Sequence, residues 1–332
     1  MAKIVFPPHL EALLKDSAYL APLQALADQT AVILADNKLP FFPDYTDHGI
    51  EHVNRVLATA EELIPDEVWQ ANTATPSQPI FNDADATVLV GAALLHDFAM
   101  HLREDGFLEL IRPPSRFRPV HWFEEKLTGY GGDRPWGDLW ADYTREARRF
   151  SDRKLAEIIG LDEVRNGWKF ERLPDSAAQW DSNHKRVIGE FIRRHHARLA
   201  HEIALYGFPG APVGEKEHEF PAMGERGHKL SKLADLIGLS ARSHGLSLRV
   251  CMAYLDACHS GTPRPMGVFL LVTVEPGGDE SPDLEQGIRG RKQQRRKEGD
   301  LHVDEEGLRE SRKDHRALRR HDIDKRLGDH PE

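Results

Sequence analysis

His96 and Asp97 lie well inside an apolar run that extends from Val88 to Met100. An imidazole and a carboxylate side by side in such a setting must be paired, hydrogen-bonded or metal-bound, because leaving either bare costs several kcal/mol. A further histidine, His52, stands beside an apolar stripe made by Ile50, Val53, Leu57, Ala60 and Ile64. Two helices that pack together can aim His52, His96 and Asp97 at one point. Imidazole and carboxylate in combination suit a divalent metal such as Mn, Fe, Co or Zn.

The dipeptide alone carries no weight. With 18 His and 27 Asp in 332 residues, chance supplies about 1.5 His-Asp pairs. His321-Asp322, in a highly charged stretch near the end of the chain, is such a pair. What distinguishes His96-Asp97 is the apolar run around it and the helical His52 before it.

The elements that must position these groups read as helices. Apolar residues three and four apart from Ile50 to Ile64 define one amphipathic helix, with Asp47 placed to cap it. Ala84 to Met100 reads as a second helix, apolar on most sides and therefore central to the core. Ile188 to Leu205 is a third, Leu230 to Leu239 and Leu246 to Leu255 two more, and Leu10 to Leu39 supplies one or two ahead of them. Pro-containing or Gly-rich stretches at 76–81, 112–119 and 207–227 read as long loops. Only Val268 to Val274 has strand character. The expected class is mostly α.

Several motifs resemble a known family. Tyr45-Thr46-Asp47-His48-Gly49-Ile50-Glu51-His52-Val53-Asn54-Arg55-Val56, followed by Leu95-His96-Asp97-Phe98, resembles the HD superfamily of metal-dependent phosphohydrolases. The likeness is strongest to the HD domains of the HD-CE type, which precede an Hsp90-type ATPase domain in longer relatives. Thr46-Asp47-His48-Gly49, Arg193-Arg194-His195-His196 and Ser243-His244-Gly245 fall in that order here. The resemblance covers about residues 44–260 and implies a helical bundle with a divalent metal, Mn, Mg, Fe, Co or Zn. It implies His52, His96, Asp97 and a distal Asp256 as metal ligands, with His96 and Asp97 at the catalytic centre. Asp235 is the alternative distal ligand. His196 and His244 are candidates for a second metal or for substrate, with His195 and His121 behind them.

A phosphorylated substrate needs cationic partners, and guanidinium groups match phosphate by bidentate geometry. Arg193 and Arg194 flank the His-His pair; Arg112, Arg116 and Arg118 share a loop after the His-Asp helix. Arg145, Arg148 and Arg149 form a third cluster. No glycine-rich phosphate loop or dinucleotide fingerprint is present, so side chains must do this work.

Charge and composition narrow the classes further. The net charge of −10 and the pI of about 6.0 argue against a protein that coats nucleic acid, which needs a basic surface to displace counterions. Two cysteines seven apart support neither a disulfide scaffold nor a cysteine-rich zinc module. No run reaches the roughly 20 apolar residues of a membrane span. The chain is therefore expected to be soluble and cytoplasmic.

Composition changes sharply near residue 275: the last 58 residues hold 14 basic and 16 acidic side chains and no aromatic one. That segment reads as a disordered tail, or as a solvated helix over about 304–326. The expected organisation is an N-terminal helical extension (1–43), an HD-type domain (44–260) and an atypical, truncated segment with a charged tail (261–332).

The functional expectation is hydrolysis of a phosphomonoester or phosphodiester, of a nucleotide by preference, by metal-activated water. The main alternative is a catalytically weak or inactive nucleotide-sensing module, originally coupled to an ATPase domain. A di-iron oxygenase is a third reading.

Overall fold

The structure, a computed structural model, describes residues 3–35, 39–43, 49–75, 79–117, 134–210 and 220–245. The chain divides into two compact units, 1–276 and 277–332, and all described residues belong to the first. Expectations for Asp256, His121, Arg118, the 246–255 helix, the 268–274 strand and the 304–326 tail fall outside them.

Among the described residues the fold is all α. The helices are α1 (Pro8–Leu14), α2 (Leu20–Ala35), α3 (Ile50–Glu62), α4 (Asp66–Ala74), α5 (Asp83–Leu95) and α6 (Glu104–Ile111). They continue with α7 (Trp136–Ala147), α8 (Asp152–Ile159), α9 (Leu161–Arg165), α10 (Ser182–Tyr206) and α11 (Ala234–Arg242). Short 3-10 turns cover Phe98–His101, Ala177–Gln179 and Ser243–Gly245. None of the described helices is long and apolar enough to cross a membrane.

Helix α5 is the hub. A capping box starts it: the Asn82 side chain accepts from the Ala84 and Asp85 N–H groups, and Asp85 accepts in return from the Asn82 N–H. This satisfies otherwise orphaned donors at the helix N-terminus. From Asp85 to Leu95 every residue is buried, as expected of a helix that is apolar all round. Helices α1, α2, α3, α10 and α11 all pack on it. Gly91 allows the closest approach, since a Cβ there would stand 2.9 Å from Ile237 Cγ2 of α11.

The residues ahead of the motif-bearing helices join this core. Leu10, Leu14 and Leu23 are fully buried. Asn54 on α3 clasps the N-terminal arm, donating to Lys3 O (3.0 Å) and accepting from Val5 N (2.9 Å). Glu61, two turns further along α3, accepts from Leu10 N (2.8 Å).

Several boundaries differ from the sequence reading, among them the start of α10, which lies at Ser182 and not Ile188. The second helix does not run to Met100: it ends at Leu95, and at Asp97 the backbone leaves helical geometry (φ −105°, ψ 5°) before the 3-10 turn begins. The N-cap position of α3 is held by Gly49, whereas Asp47, expected there, lies outside the described residues. Helix α11 begins at Ala234, not Leu230; residues 230–233 form turns tied by a Leu233 N–H to Leu230 O bond.

Candidate metal centre

The change of backbone direction at Asp97 is what makes the site. His96 closes α5 and Asp97 follows it, so the two side chains leave the hub helix where it meets α3, α10 and the end of α11. His52 approaches from α3, His196 from the middle of α10, and His244 from the 3-10 turn after α11. All four imidazoles present Nε2 to the Asp97 carboxylate.

The donor atoms form two groups that share Asp97. On one side Asp97 Oδ2 is 3.1 Å from His96 Nε2 and 3.5 Å from His52 Nε2, and the two nitrogens are 3.0 Å apart. On the other side Asp97 Oδ1 is 3.5 Å from both His196 Nε2 and His244 Nε2, which are 2.7 Å apart. His52–His96–Asp97 and Asp97–His196–His244 are each compact enough to hold one ion.

Tautomers argue that a cation fits. His96 Nδ1 donates to Ala93 O (2.9 Å), His196 Nδ1 to Arg193 O (2.7 Å) and His244 Nδ1 to Ala241 O (2.5 Å). A carbonyl can only accept, so these Nδ1 atoms carry the proton and, in the neutral ring, Nε2 keeps its lone pair. Burial, reinforced by the neighbouring His196, pushes His244 down to about 3 and so holds it neutral. Two imidazoles that both carry their proton on Nδ1 would set lone pair against lone pair across this 2.7 Å gap, a conflict that a shared cation removes. The donor separations of 2.7–3.5 Å match edges of a coordination shell with bonds of about 2.0–2.2 Å. Backbone carbonyls that orient ligating histidines in this way are a common outer shell for metals.

Asp235, the alternative distal ligand, is in neither group; its Oδ1 lies 3.0 Å from Nε2 of the fully buried His201. His195, next to His196 in sequence, is turned about 100° around α10 and sits between Trp136 and Phe191. Burial there, with Arg198 and Arg194 nearby, pushes it down to about 4. It is not a member of either group.

The candidate phosphate arginines are not gathered into one cradle. Arg193 holds Glu190 through two bonds (2.8 and 3.1 Å), and Arg194 bridges Glu190 and Glu146 while lying over Tyr143 and Phe150. Burial alone would raise the Glu190 carboxyl, yet Arg193, Arg194 and Lys154 hold it below its usual range. Arg116 pairs with Glu109 (2.8 Å) and donates to Phe208 O. Arg112 donates to Asp175 O, Arg148 to Glu171 O, and Arg145 is paired with Asp142.

A buried network anchors α10 behind the site and was not singled out from the sequence. Glu202 accepts from Trp136 Nε1 and from Arg198 Nε (2.8 Å), and Arg198 also donates to Arg134 O (2.9 Å). Arg198 and Glu202, one turn apart, are a readable helical pair, but only the fold shows that Trp136 completes it. The three carbonyls that orient the histidines leave no side-chain signal at all.

An all-helical bundle whose hub helix ends in His-Asp, with further histidines converging from three neighbouring elements, defines an HD-type domain. The chain matches the HD-CE family over residues 42–268 and belongs to that family. No curated protein and no solved structure matches it.

Proposed function

We propose that this protein is a metal-dependent phosphohydrolase that cleaves a phosphomonoester or phosphodiester, of a nucleotide by preference, at a two-ion centre. The observation that carries this reading is the placement of one histidine pair on each oxygen of Asp97. His52 and His96 would hold one ion with Asp97 Oδ2, and His196 and His244 a second with Asp97 Oδ1. Asp256 is the remaining ligand inferred from the family pattern. Divalent ions bound there would supply an activated water and neutralise charge on the phosphoryl oxygens.

The chain's own residues prepare that chemistry. Asp97 is the single carboxylate shared by the two groups, so two ions held there would keep a strong positive field for an anionic substrate. His96, His196 and His244 are turned with Nε2 toward Asp97 because their Nδ1 protons are committed to backbone carbonyls. His96 and His244, with side chains 3% and 6% exposed, wall the inner side, whereas His52 and His196, at 14% and 19%, stand nearer solvent. Substrate therefore enters between α3 and α10.

A panel of nucleotides, cyclic nucleotides and generic phosphodiesters, offered with Mn or Mg, tests the proposal. Product should form with at least one class and disappear in His96→Ala. Absence of product from every class, or an unaffected His96→Ala, would sink it.

The second reading, a nucleotide-sensing module without turnover, draws on the carboxylate partners that already occupy Arg193, Arg194 and Arg116. Its mark would be tight nucleotide binding with no product, surviving Asp97→Ala.

A further inference from the structure

We propose that Arg55 forms an anion subsite beside the metal centre and selects phosphoesters that carry a second anionic group next to the scissile phosphoryl group. The substrate class rests on the phosphohydrolase reading above; the subsite itself is tested without turnover.

Arg55 lies three residues after His52 on α3. That spacing places it about 4.5 Å along the axis and about 60° around the helix from the histidine, so the two side chains are neighbours. The rotation carries Arg55 away from the buried stripe of Ile50, Val53, Val56, Leu57 and Ala60, and it is exposed. It therefore stands on the solvent side of His52, one of the two most exposed members of the cluster.

The other arginines on the cluster's helices are committed. Arg186 donates to Ile159 O, Arg193 and Arg194 hold Glu190, and Arg198 holds the buried Glu202. Arg242 is buried near Glu202 and His201. Arg55 differs: among the described residues its guanidinium makes no hydrogen bond, ion pair or ring contact, even with Glu51 one turn away. A rigid five-donor fork left free at the mouth of a phosphate-processing site is suited to a phosphoryl or carboxylate group by bidentate bonding. One turn of helix separates it from His52, so it would meet the next anionic group along a substrate rather than the phosphoryl group at Asp97. A nucleoside diphosphate or bisphosphate meets that description; a simple monoester does not.

The test is calorimetric titration of the Mn-loaded full chain with inorganic phosphate and with pyrophosphate, using wild type, Arg55→Gln and Arg55→Lys. Wild type should bind pyrophosphate more tightly than phosphate. Arg55→Gln should weaken pyrophosphate by roughly tenfold or more and leave phosphate within about twofold, while Arg55→Lys, a point charge without the fork, recovers part of the loss. Because Arg55 is exposed, the melting temperature should not move. Equal loss of both anions, loss of neither, or no wild-type preference for pyrophosphate would overturn the subsite. If the contrast holds but no phosphoester is cleaved, the hydrolase reading fails and the subsite stands.

Discussion

Because each Asp97 oxygen faces a different histidine pair, removing that one side chain should cost both ions, whereas removing a histidine from one pair should cost chiefly one. Elemental analysis of purified protein should therefore find about two equivalents of metal in wild type. Near one is expected in His244→Ala and well below one in Asp97→Ala. Asp235→Asn should leave the content unchanged, since that carboxylate is turned to His201. His195 makes a pH prediction. Its folded pKa of about 4 lies below the ordinary value near 6.5, so between those limits the unfolded chain binds more protons than the folded one. Stability then rises with pH across that window and is lost as pH falls from about 6.5 toward 4. Thermal melts of chelated protein should show this slope, and His195→Gln should flatten it. His52, His96 and Asp97 were legible from residue type and apolar setting alone. His196 and His244 needed the family motifs, because a histidine beside arginines reads as a solvent-facing one. His195 shows why: one residue along a helix is enough to exchange a position facing Asp97 for an aromatic nest.

At the scale of elements, the centre depends on how closely α11 lies on α10. A Cβ on Gly238 would collide with the His201 ring and stand 3.0 Å from its carbonyl oxygen, so the crossing tolerates no side chain. Gly238→Ala should force the helices apart at a cost of about 1–3 kcal/mol and displace the turn that carries His244. Urea unfolding should register the loss, and metal content should fall toward one equivalent while His52 and His96 keep theirs. The 3.6-residue periodicity made the helices themselves readable, above all the amphipathic α3. Their ends were less so. Ala84 to Met100 is apolar throughout, so nothing in hydrophobic pattern marks where α5 stops; the stop is set by the backbone turn at Asp97 and by the Ala93 carbonyl engaged by His96. Likewise Leu230 and Leu233 continue the apolar spacing of α11 but serve as turn residues that pack inward.

The molecule as a whole gathers its chemistry around one buried rod. Helices α1, α2, α10 and α11 all pack on α5, and α3 carries His52 while the N-terminal arm is clasped by Asn54 and Glu61. The first forty residues therefore help to hold the site and are not merely adjacent to it. Leu14→Ala, at a fully buried position of α1, should destabilise the chain by about 2–5 kcal/mol, measurable as a shift of the urea midpoint. Within the acidic balance of the sequence lies one carboxylate among four imidazoles, a donor set that suits a divalent cation. The central claim is that Asp97 joins two ions into one hydrolytic centre. Its most direct test is phosphate release from a hydrolysed phosphoester as Mn is titrated into metal-free wild type and Asp97→Ala. The account predicts release that climbs until about two equivalents are bound and is absent from Asp97→Ala at every Mn concentration. Release that saturates without Asp97, or no release from wild type at any Mn concentration, would contradict it.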